Sequence, residues 1–298
     1  MCGIVGLLMK RPEGLRSLGE LLAPMMVCMN ERGPDSAGLA VFGGSPGRGR
    51  RFSLFSATHE TDFAALADQF TRDHDIPAEI QSLDHHALLT ATCERGDFAA
   101  WLTETHPGVR LLAAGESIQL FKDIGAPAML VERYGVSRMT GTHAVGHTRM
   151  ATESAVSPAH AHPFTAGEDF CLVHNGSLSN PYSLRRRLER LGVRFETDND
   201  TEAACRFLEW RMREGDTLEQ AIEKGFDELD GFYTLLMATP DRMVLVKDAF
   251  ACKPAVVAET DDYVAVASEF RSLAHLPGVG DARVFEPRPQ TIYSWSVR

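Results

Sequence analysis

The chain opens Met1-Cys2-Gly3-Ile4-Val5-Gly6-Leu7-Leu8. From Gly3 to Leu8 no residue is polar, so the stretch reads as a strand buried on both faces. Cys2 stands directly before it. An initiator methionine is normally trimmed when the second residue is small, and loss of Met1 would give Cys2 both a thiol and a free α-amine. The thiolate is the nucleophilic form of cysteine. An α-amine with a pKa of about 7.7–8.0 is partly neutral near neutral pH. It can take the thiol proton and later hand it to a leaving amine. Position alone leaves the plain alternative open, an incidental cysteine behind the start codon.

Working outward, Lys10 and Arg11 follow this apolar stretch, the reverse of a secretory signal. The longest apolar run, Leu21 to Met29, is broken by Pro24 and falls short of the ~20 residues of a membrane helix. The chain is therefore expected in the cytoplasm. It has 298 residues, 44% hydrophobic and 24% charged, which excludes a disordered chain and leaves room for one large domain or two. The net charge of −11 argues against bulk binding to nucleic acid or anionic membrane.

The cysteines, Cys2, Cys28, Cys93, Cys171, Cys205 and Cys252, are scattered and form no CxxC pair, so no zinc knuckle or iron–sulfur site is expected. Apart from Cys2 they read as small buried hydrophobes. Asp84-His85-His86 has the look of a metal phosphoesterase signature but lacks a companion acidic motif. His143, His147, His160 and His162 invite a metal reading too. No metal is predicted.

Apolar spacing predicts a helix from Leu15 to Met29 with a kink at Pro24, a loop Asn30-Glu31-Arg32-Gly33-Pro34-Asp35-Ser36 and a strand Leu39–Phe42. After a Gly/Pro/Arg linker the texture changes until about Thr140. Strand, helix, strand, helix and a strand pair (Val109–Ala113 with Ile118–Lys122) suggest a small inserted α+β subdomain over 50–140. Beyond it come strands at Ala144–Thr148 and Phe170–Val173, helices at Ser183–Leu191, Thr201–Met212 and Glu219–Leu229, and closely spaced strands to Trp295. Short connections suit antiparallel pairing, and the mixture points to an α+β layered fold.

Four further stretches can carry chemistry. Arg149, at a strand end in Gly146-His147-Thr148-Arg149-Met150-Ala151-Thr152, can grip a carboxylate through two parallel hydrogen bonds, or form a surface ion pair. His174-Asn175-Gly176 offers an amide beside a glycine N–H, the donor pair of an oxyanion hole, or simply a turn. Glu196-Thr197-Asp198-Asn199-Asp200-Thr201-Glu202 precedes a helix, where carboxylates cap or meet a substrate ammonium. Arg185-Arg186-Arg187 with Arg190 reads as a solvated helix face, with a docking patch as the second reading.

In this order the motifs resemble the glutaminase domain of class II glutamine amidotransferases, which belong to the N-terminal-nucleophile hydrolases. The resemblance rests on Cys2-Gly3-Ile4-Val5-Gly6, Arg32-Gly33-Pro34-Asp35-Ser36-Ala37-Gly38, Gly146–Thr152, His162-Pro163, His174-Asn175-Gly176 and Asp200-Thr201-Glu202. Lys247-Asp248, Lys253-Pro254 and Ala267-Ser268-Glu269 complete it. It covers residues 1–42 and 142–275 and treats 1–298 as one such domain holding the insert.

The resemblance implies a four-layer αββα sandwich of two antiparallel sheets, with Cys2 at the edge of one. It implies Cys2 as nucleophile, Asn175 and the Gly176 N–H as oxyanion hole, Arg149 on the α-carboxylate of glutamine and Asp200 on its α-ammonium. Thr152 and His162 would line the pocket, and Arg32 would belong to the loop around the nucleophile. The family's Thr-Asp-Thr-Glu is split here between Thr197-Asp198 and Asp200-Thr201-Glu202. Asp200 is preferred because Thr-Glu follows it, with Asp198 as the alternative.

Most members fuse this domain to one that consumes the ammonia. No P-loop or dinucleotide fingerprint accompanies it here, so partner subunits are expected. The chain looks similar to the small amidotransferase-like subunits of N-methylglutamate synthase and its glutamate-synthase-related cousins. That implies a hetero-oligomer with glutamate-synthase-like partners, one of them carrying flavin and iron–sulfur centres, and no cofactor in this chain. The other class of reading is a non-catalytic structural or regulatory subunit that keeps the fold.

Overall fold

The computed structural model describes residues 2–11, 17–44, 47, 49–58, 60–151 and 156–297. The chain runs through β1 (Gly3–Met9), α1 (Leu18–Cys28), β2 (Ser36–Phe42), β3 (Arg50–Ser56), α2 (Phe63–His74), β4 (Ala78–Leu83) and β5 (His86–Ala91). It continues with α3 (Arg95–Thr105), β6 (Val109–Gly115), β7 (Ile118–Ile124), α4 (Pro127–Arg133), β8 (His143–Arg149), β9 (Phe164–Thr165) and β10 (Cys171–Leu178). Then come α5 (Pro181–Arg190), α6 (Asp200–Arg213), α7 (Leu218–Glu228), β11 (Gly231–Thr239) and β12 (Arg242–Lys247). The last strands are β13 (Val256–Glu259), β14 (Tyr263–Ala267), β15 (Arg283–Phe285) and β16 (Tyr293–Ser296).

Two antiparallel sheets carry the fold, one in the order β15-β13-β14-β1-β8-β2-β7 and one in the order β16-β12-β11-β10-β9. Strand alternation sorts their side chains into layers. Val5, Leu7 and Met9 of β1 pack on Leu21, Leu22 and Met25 of α1. Ile4 and Leu8 point the other way, onto Val173, Leu236 and Leu245 of the second sheet. The outer face of that sheet, through Leu172, Leu235 and Val244, packs on Leu188, Leu208 and Ile222 of α5, α6 and α7. The result is the expected helix–sheet–sheet–helix sandwich. A one-residue slip of β1 would move its whole interlayer set to the wrong face, so burial on both sides fixes its register.

Side-chain caps set several helix starts, and α1 begins at Leu18, whereas the expected start at Leu15 lies outside the described residues. Ser17 and Glu20 form a capping box on α1, and Thr217 and Gln220 form one on α7. Asn199 caps α6 by accepting from the Thr201 N–H. Pro24 sits inside α1, which continues to Cys28.

The inserted segment differs from expectation at its C-terminal boundary. A third antiparallel sheet, β4-β5-β3-β6, covers Arg50–Gly115 and packs on α2 and α3 around Phe52, Phe70, Phe98 and Trp101. β7 does not pair with β6. It pairs with β2 over its full length, from Ser36↔Ile124 to Phe42↔Ile118, and so belongs to the seven-stranded sheet. The residues beyond it also belong there, since Leu130, Tyr134 and Val136 join the core on α1. The separate sheet therefore ends near residue 115, not 140. The cause is at the turn, where the Asp169 carboxylate accepts from the backbone N–H groups of Glu116, Ser117 and Ile118 at 2.8–2.9 Å and redirects the chain to the free edge of β2.

No helix among the described residues is long and apolar enough to cross a membrane.

Candidate active site

Cys2 is held by its backbone. Its carbonyl accepts from Arg32 Nε at 3.1 Å, and the Arg32 guanidinium also pairs with Glu269. Arg32 beside it holds the Glu269 carboxyl below the usual carboxylate range, although burial opposes this. Next in the chain, the Ile4 N–H donates to Ser268 Oγ at 3.0 Å, and the Ser268 N–H donates back to the Ile4 carbonyl. Ala267-Ser268-Glu269 is thus the clamp that aligns the first residues of β1. The Cys2 sulfur lies 3.9 Å from the Met150 carbonyl oxygen.

β1 pairs with β8 with Gly3 opposite Thr148, so the same register continued by one residue sets Cys2 opposite Arg149. The Arg32–Asp35 loop wraps the end of β8. Gly33 lies so close that a Cβ there would sit 2.6 Å from the Arg149 carbonyl carbon. The Asp35 N–H donates to the Arg149 carbonyl at 3.1 Å, and the Asp35 carboxylate accepts from the Ala151 N–H at 2.8 Å. The loop therefore fixes the backbone of the buried Arg149 side chain.

The second sheet supplies the facing wall. Cys2 lies two residues before Ile4, and Asn175 lies two after Val173; Ile4 and Val173 both face the interlayer core. Alternation then directs both side chains into the gap between the sheets. The Asn175 side-chain nitrogen Nδ2 is buried with no hydrogen-bond partner among the described residues. A buried donor left unmade costs about 1–3 kcal/mol, so an acceptor is expected there. Gly176 follows at φ +150°, and any Cβ there would overlap the Phe232 carbonyl. Only glycine fits.

A cavity of about 320 Å³ opens at this point, lined by Cys2, Arg149, His162, His174, Gly176 and Asp200, with Asp198 at its edge. Of the sequence-predicted residues, Arg32 and Asn175 do not line this cavity, and Thr152 lies outside the described residues. The two acidic candidates separate. Asp198 is 68% exposed and its carboxylate meets His160 Nε2 at 2.9 Å. Asp200 is 24% exposed, begins α6, and accepts from the Leu178 N–H at 2.8 Å.

Behind the cavity lies a closed hydrogen-bond ring. His147 Nε2 donates to the His174 carbonyl at 2.9 Å, which leaves His147 Nδ1 as acceptor for His162 Nδ1 at 3.1 Å. His162 Nε2 must then accept from the Thr201 hydroxyl at 2.7 Å, and Thr201 Oγ1 accepts from His174 Nδ1 at 2.9 Å. The donor order assigns every tautomer. Burial depresses the imidazoles: His147 falls to about 3, His162 falls well below its usual value, and His174 is lowered despite Asp200. All three are neutral near neutral pH. Both ring nitrogens of His162 are engaged, so it offers the cavity a ring edge and no free donor. His174 Nε2 has no partner among the described residues and sits beside Gly176, 2.8 Å from where a Cβ would be.

Sequence reasoning missed the residues that shape the acidic loop. Glu202 is buried and accepts from the Glu196 N–H, the Thr197 N–H and the Thr197 hydroxyl at 2.7–2.8 Å. Arg185, expected on a solvated face, is 8% exposed and donates to the carbonyls of Thr197 and Asn199 at 2.7 and 2.5 Å. Its spacing was the available signal, because it lies beside Leu184 and three residues before Leu188, both buried. His86, from the Asp84-His85-His86 stretch, is buried against Phe55, Phe121 and Tyr134. No group of three or more metal-capable side chains occurs among the described residues.

A family model described as a glutamine amidotransferase domain matches residues 147–275. The chain is 46% identical over 296 residues to the glutamine amidotransferase-like protein GlxB of Rhizobium meliloti, covering 99% of this chain and 98% of that one. It is 33% identical over 143 residues to the glutamine–fructose-6-phosphate aminotransferase of Aliivibrio fischeri, covering 47% of this chain and 23% of that enzyme. Among solved structures, the glutamine phosphoribosylpyrophosphate amidotransferase of B. subtilis superposes with a TM-score of 0.62 at 19% identity, over 99% of this chain and 49% of that one. At that identity the likeness is one of fold.

Proposed function

This chain belongs to the class II glutamine amidotransferases, and from that premise we propose that it hydrolyses glutamine through a thioester on Cys2. The observation that carries the reading is one cavity with a cysteine and opposite charges, Arg149 and Asp200, on its wall, together with the buried Asn175 amide donor that has no partner among the described residues.

In the proposed reaction Met1 is removed and the Cys2 sulfur attacks the side-chain amide carbon of glutamine. The oxygen takes negative charge and is met by Asn175 Nδ2 and the Gly176 N–H. Two fixed donors in a buried site stabilise such an oxyanion far better than mobile water. The Cys2 α-amine carries the thiol proton to the departing nitrogen, the C–N bond breaks and ammonia leaves. Water then attacks the γ-glutamyl thioester, and glutamate and the thiol are restored. Arg149 would hold the α-carboxylate and Asp200 the α-ammonium, with Thr152 beside them. Arg32 orders the Cys2 backbone. His162 contributes as a wall and as part of the ring, since its nitrogens are engaged by the protein.

The proposal extends to partners. Ammonia released into water is lost, so the chain would pass it to other subunits. The reading favoured by the sequence is an N-methylglutamate synthase or glutamate-synthase-like complex in which a partner holds flavin and iron–sulfur centres. The test joins three measurements on protein copurified from its source: the mass of the N-terminal peptide, glutamate release from glutamine, and the identity of the copurifying chains. Expected are a chain starting at Cys2, glutamate formation, and glutamate-synthase-related partners. A retained Met1 with no glutamate release overturns the catalytic reading and leaves a structural subunit.

A further inference from the structure

A second cavity lies where the inserted subdomain meets the hydrolase layers. Arg95 of α3 and Arg110 of β6 come from the insert; Lys122, Glu196, Glu202 and Arg206 come from the main fold. Four cations face two carboxylates, and the carboxylates are already engaged. Glu202 accepts from the backbone of the acidic loop, and Arg206 pairs with both Glu196 and Glu202. Arg95 and Arg110 have no carboxylate partner of their own among the described residues. Lys122 is 5% exposed, and among the described residues its ammonium donates to two carbonyls, Ala161 at 3.1 Å and Ala159 at 3.5 Å, above the Phe164 ring at 5.0 Å. A buried lysine without a counter-ion in contact is costly.

The cavity measures about 40 Å³. One water needs at least about 10–15 Å³ by this measure, so the space suits a group of a few heavy atoms and excludes a nucleotide.

We infer that this cavity binds a small oxyanion, a carboxylate or inorganic phosphate, held by Arg95 and Arg110 from the insert and Lys122 from the main fold. The insert would then serve as one jaw of a ligand site. The other jaw reaches the glutamine cavity. The carbonyls that Lys122 holds flank His160, which contacts Asp198, and lead into His162. Glu202, in the wall of the second cavity, follows directly on Asp200 and Thr201. An oxyanion that draws the Lys122 ammonium would alter its hold on Ala159–Ala161, and linkage requires any effect on glutamine to be reciprocal. This coupling rests on the glutaminase reading; the binding does not.

The test is calorimetric titration of the full chain with inorganic phosphate and, separately, with acetate, in the wild type, in Arg95→Gln/Arg110→Gln and in Lys122→Met. Saturable binding is expected for one anion, and the arm that saturates identifies its class. Each lost charge-assisted contact should weaken binding about tenfold or more. Absence of saturation by both anions, or equal affinity in the double variant and the wild type, overturns the site. Calorimetry needs no turnover, so failure of glutamine hydrolysis leaves this test intact. Where hydrolysis is seen, the anion should shift the KM for glutamine in the wild type and not in the double variant.

Discussion

The Nδ1 atoms of His147 and His162 face each other at 3.1 Å. One proton serves both, so His147 cannot gain a second without breaking this contact, and His162 cannot without breaking the bond it accepts from the Thr201 hydroxyl. Burial lowers the pKa of His147 to about 3 and that of His162 well below its usual value; His143 and His86, buried elsewhere, fall to about 4. The sign follows from these depressed values. The unfolded chain binds protons at these sites below about pH 6.5 while the folded chain does not, so stability is complete above that pH and falls as pH drops toward 3–4. Each such histidine removes roughly 1 kcal/mol per pH unit in that window. Urea midpoints measured between about pH 7 and about pH 5 should fall steeply and cooperatively. A flat midpoint would show that the rings are solvated or charged.

Thr201 closes the ring, because its hydroxyl joins His162 to His174. Thr201→Val keeps the shape and removes the hydroxyl, leaving two buried ring nitrogens unpaired. The expected loss is about 2–4 kcal/mol of stability, from two unmade bonds at about 1–2 each. Glutamine turnover should drop with it, because His174 adjoins Asn175 and Gly176. Thr201→Ser should recover most of both. Denaturation midpoints and steady-state kinetics of the pair decide; equal behaviour of valine and serine would refute the ring.

The nucleophile and its oxyanion donor make a sharper pair. Cys2→Ala should abolish glutamate release while leaving glutamine binding measurable by calorimetry. Asn175→Ala should lower turnover by about 10²–10³, the usual effect of losing one oxyanion donor. Wild-type turnover by either variant would sink the thioester mechanism.

Much of this site was legible from residue order. The apolar Gly3–Leu8 announced a central strand, and the short connections after residue 230 announced antiparallel sheets. Cys2, Arg149, Gly176 and Asp200, singled out far apart in the sequence, line one cavity. What escaped depends on contacts between distant segments. Whether Ile118–Ile124 joins the insert or the main sheet is decided by Asp169 capping a turn some fifty residues away, which periodicity cannot register. His162 reads equally as a ligand or a wall until Thr201 and His147 are seen on its two nitrogens. In the sequence Asp198 and Asp200 are near-equivalent; it is the start of α6 at Asp200 that separates the exposed partner of His160 from the less exposed carboxylate held by the Leu178 N–H in the cavity wall.

Arg185 is the clearest instance of a charge that pattern reading sends to solvent and packing brings inside. Its guanidinium stacks 4.4 Å from the Phe195 ring and bridges the carbonyls of Thr197 and Asn199, so it holds the segment that delivers Asp200 to the cavity. Arg185→Gln should destabilise by about 3–6 kcal/mol, because two bonds from a charged donor are lost, each worth about 1.5–3. It should also raise the KM for glutamine more than it lowers kcat, since Asp200 is displaced while Cys2 and Asn175 are not. Arg185→Lys should fail to rescue, because a point charge cannot span two carbonyls as the planar fork does. The neighbouring Arg187, half-exposed and paired with Glu228 across the surface, gives the control. Its glutamine variant should shift stability by less than about 1 kcal/mol. Thermal denaturation with steady-state kinetics on the three variants is decisive. An Arg185→Lys protein indistinguishable from wild type, or a fall confined to kcat, would detach Arg185 from the placement of Asp200.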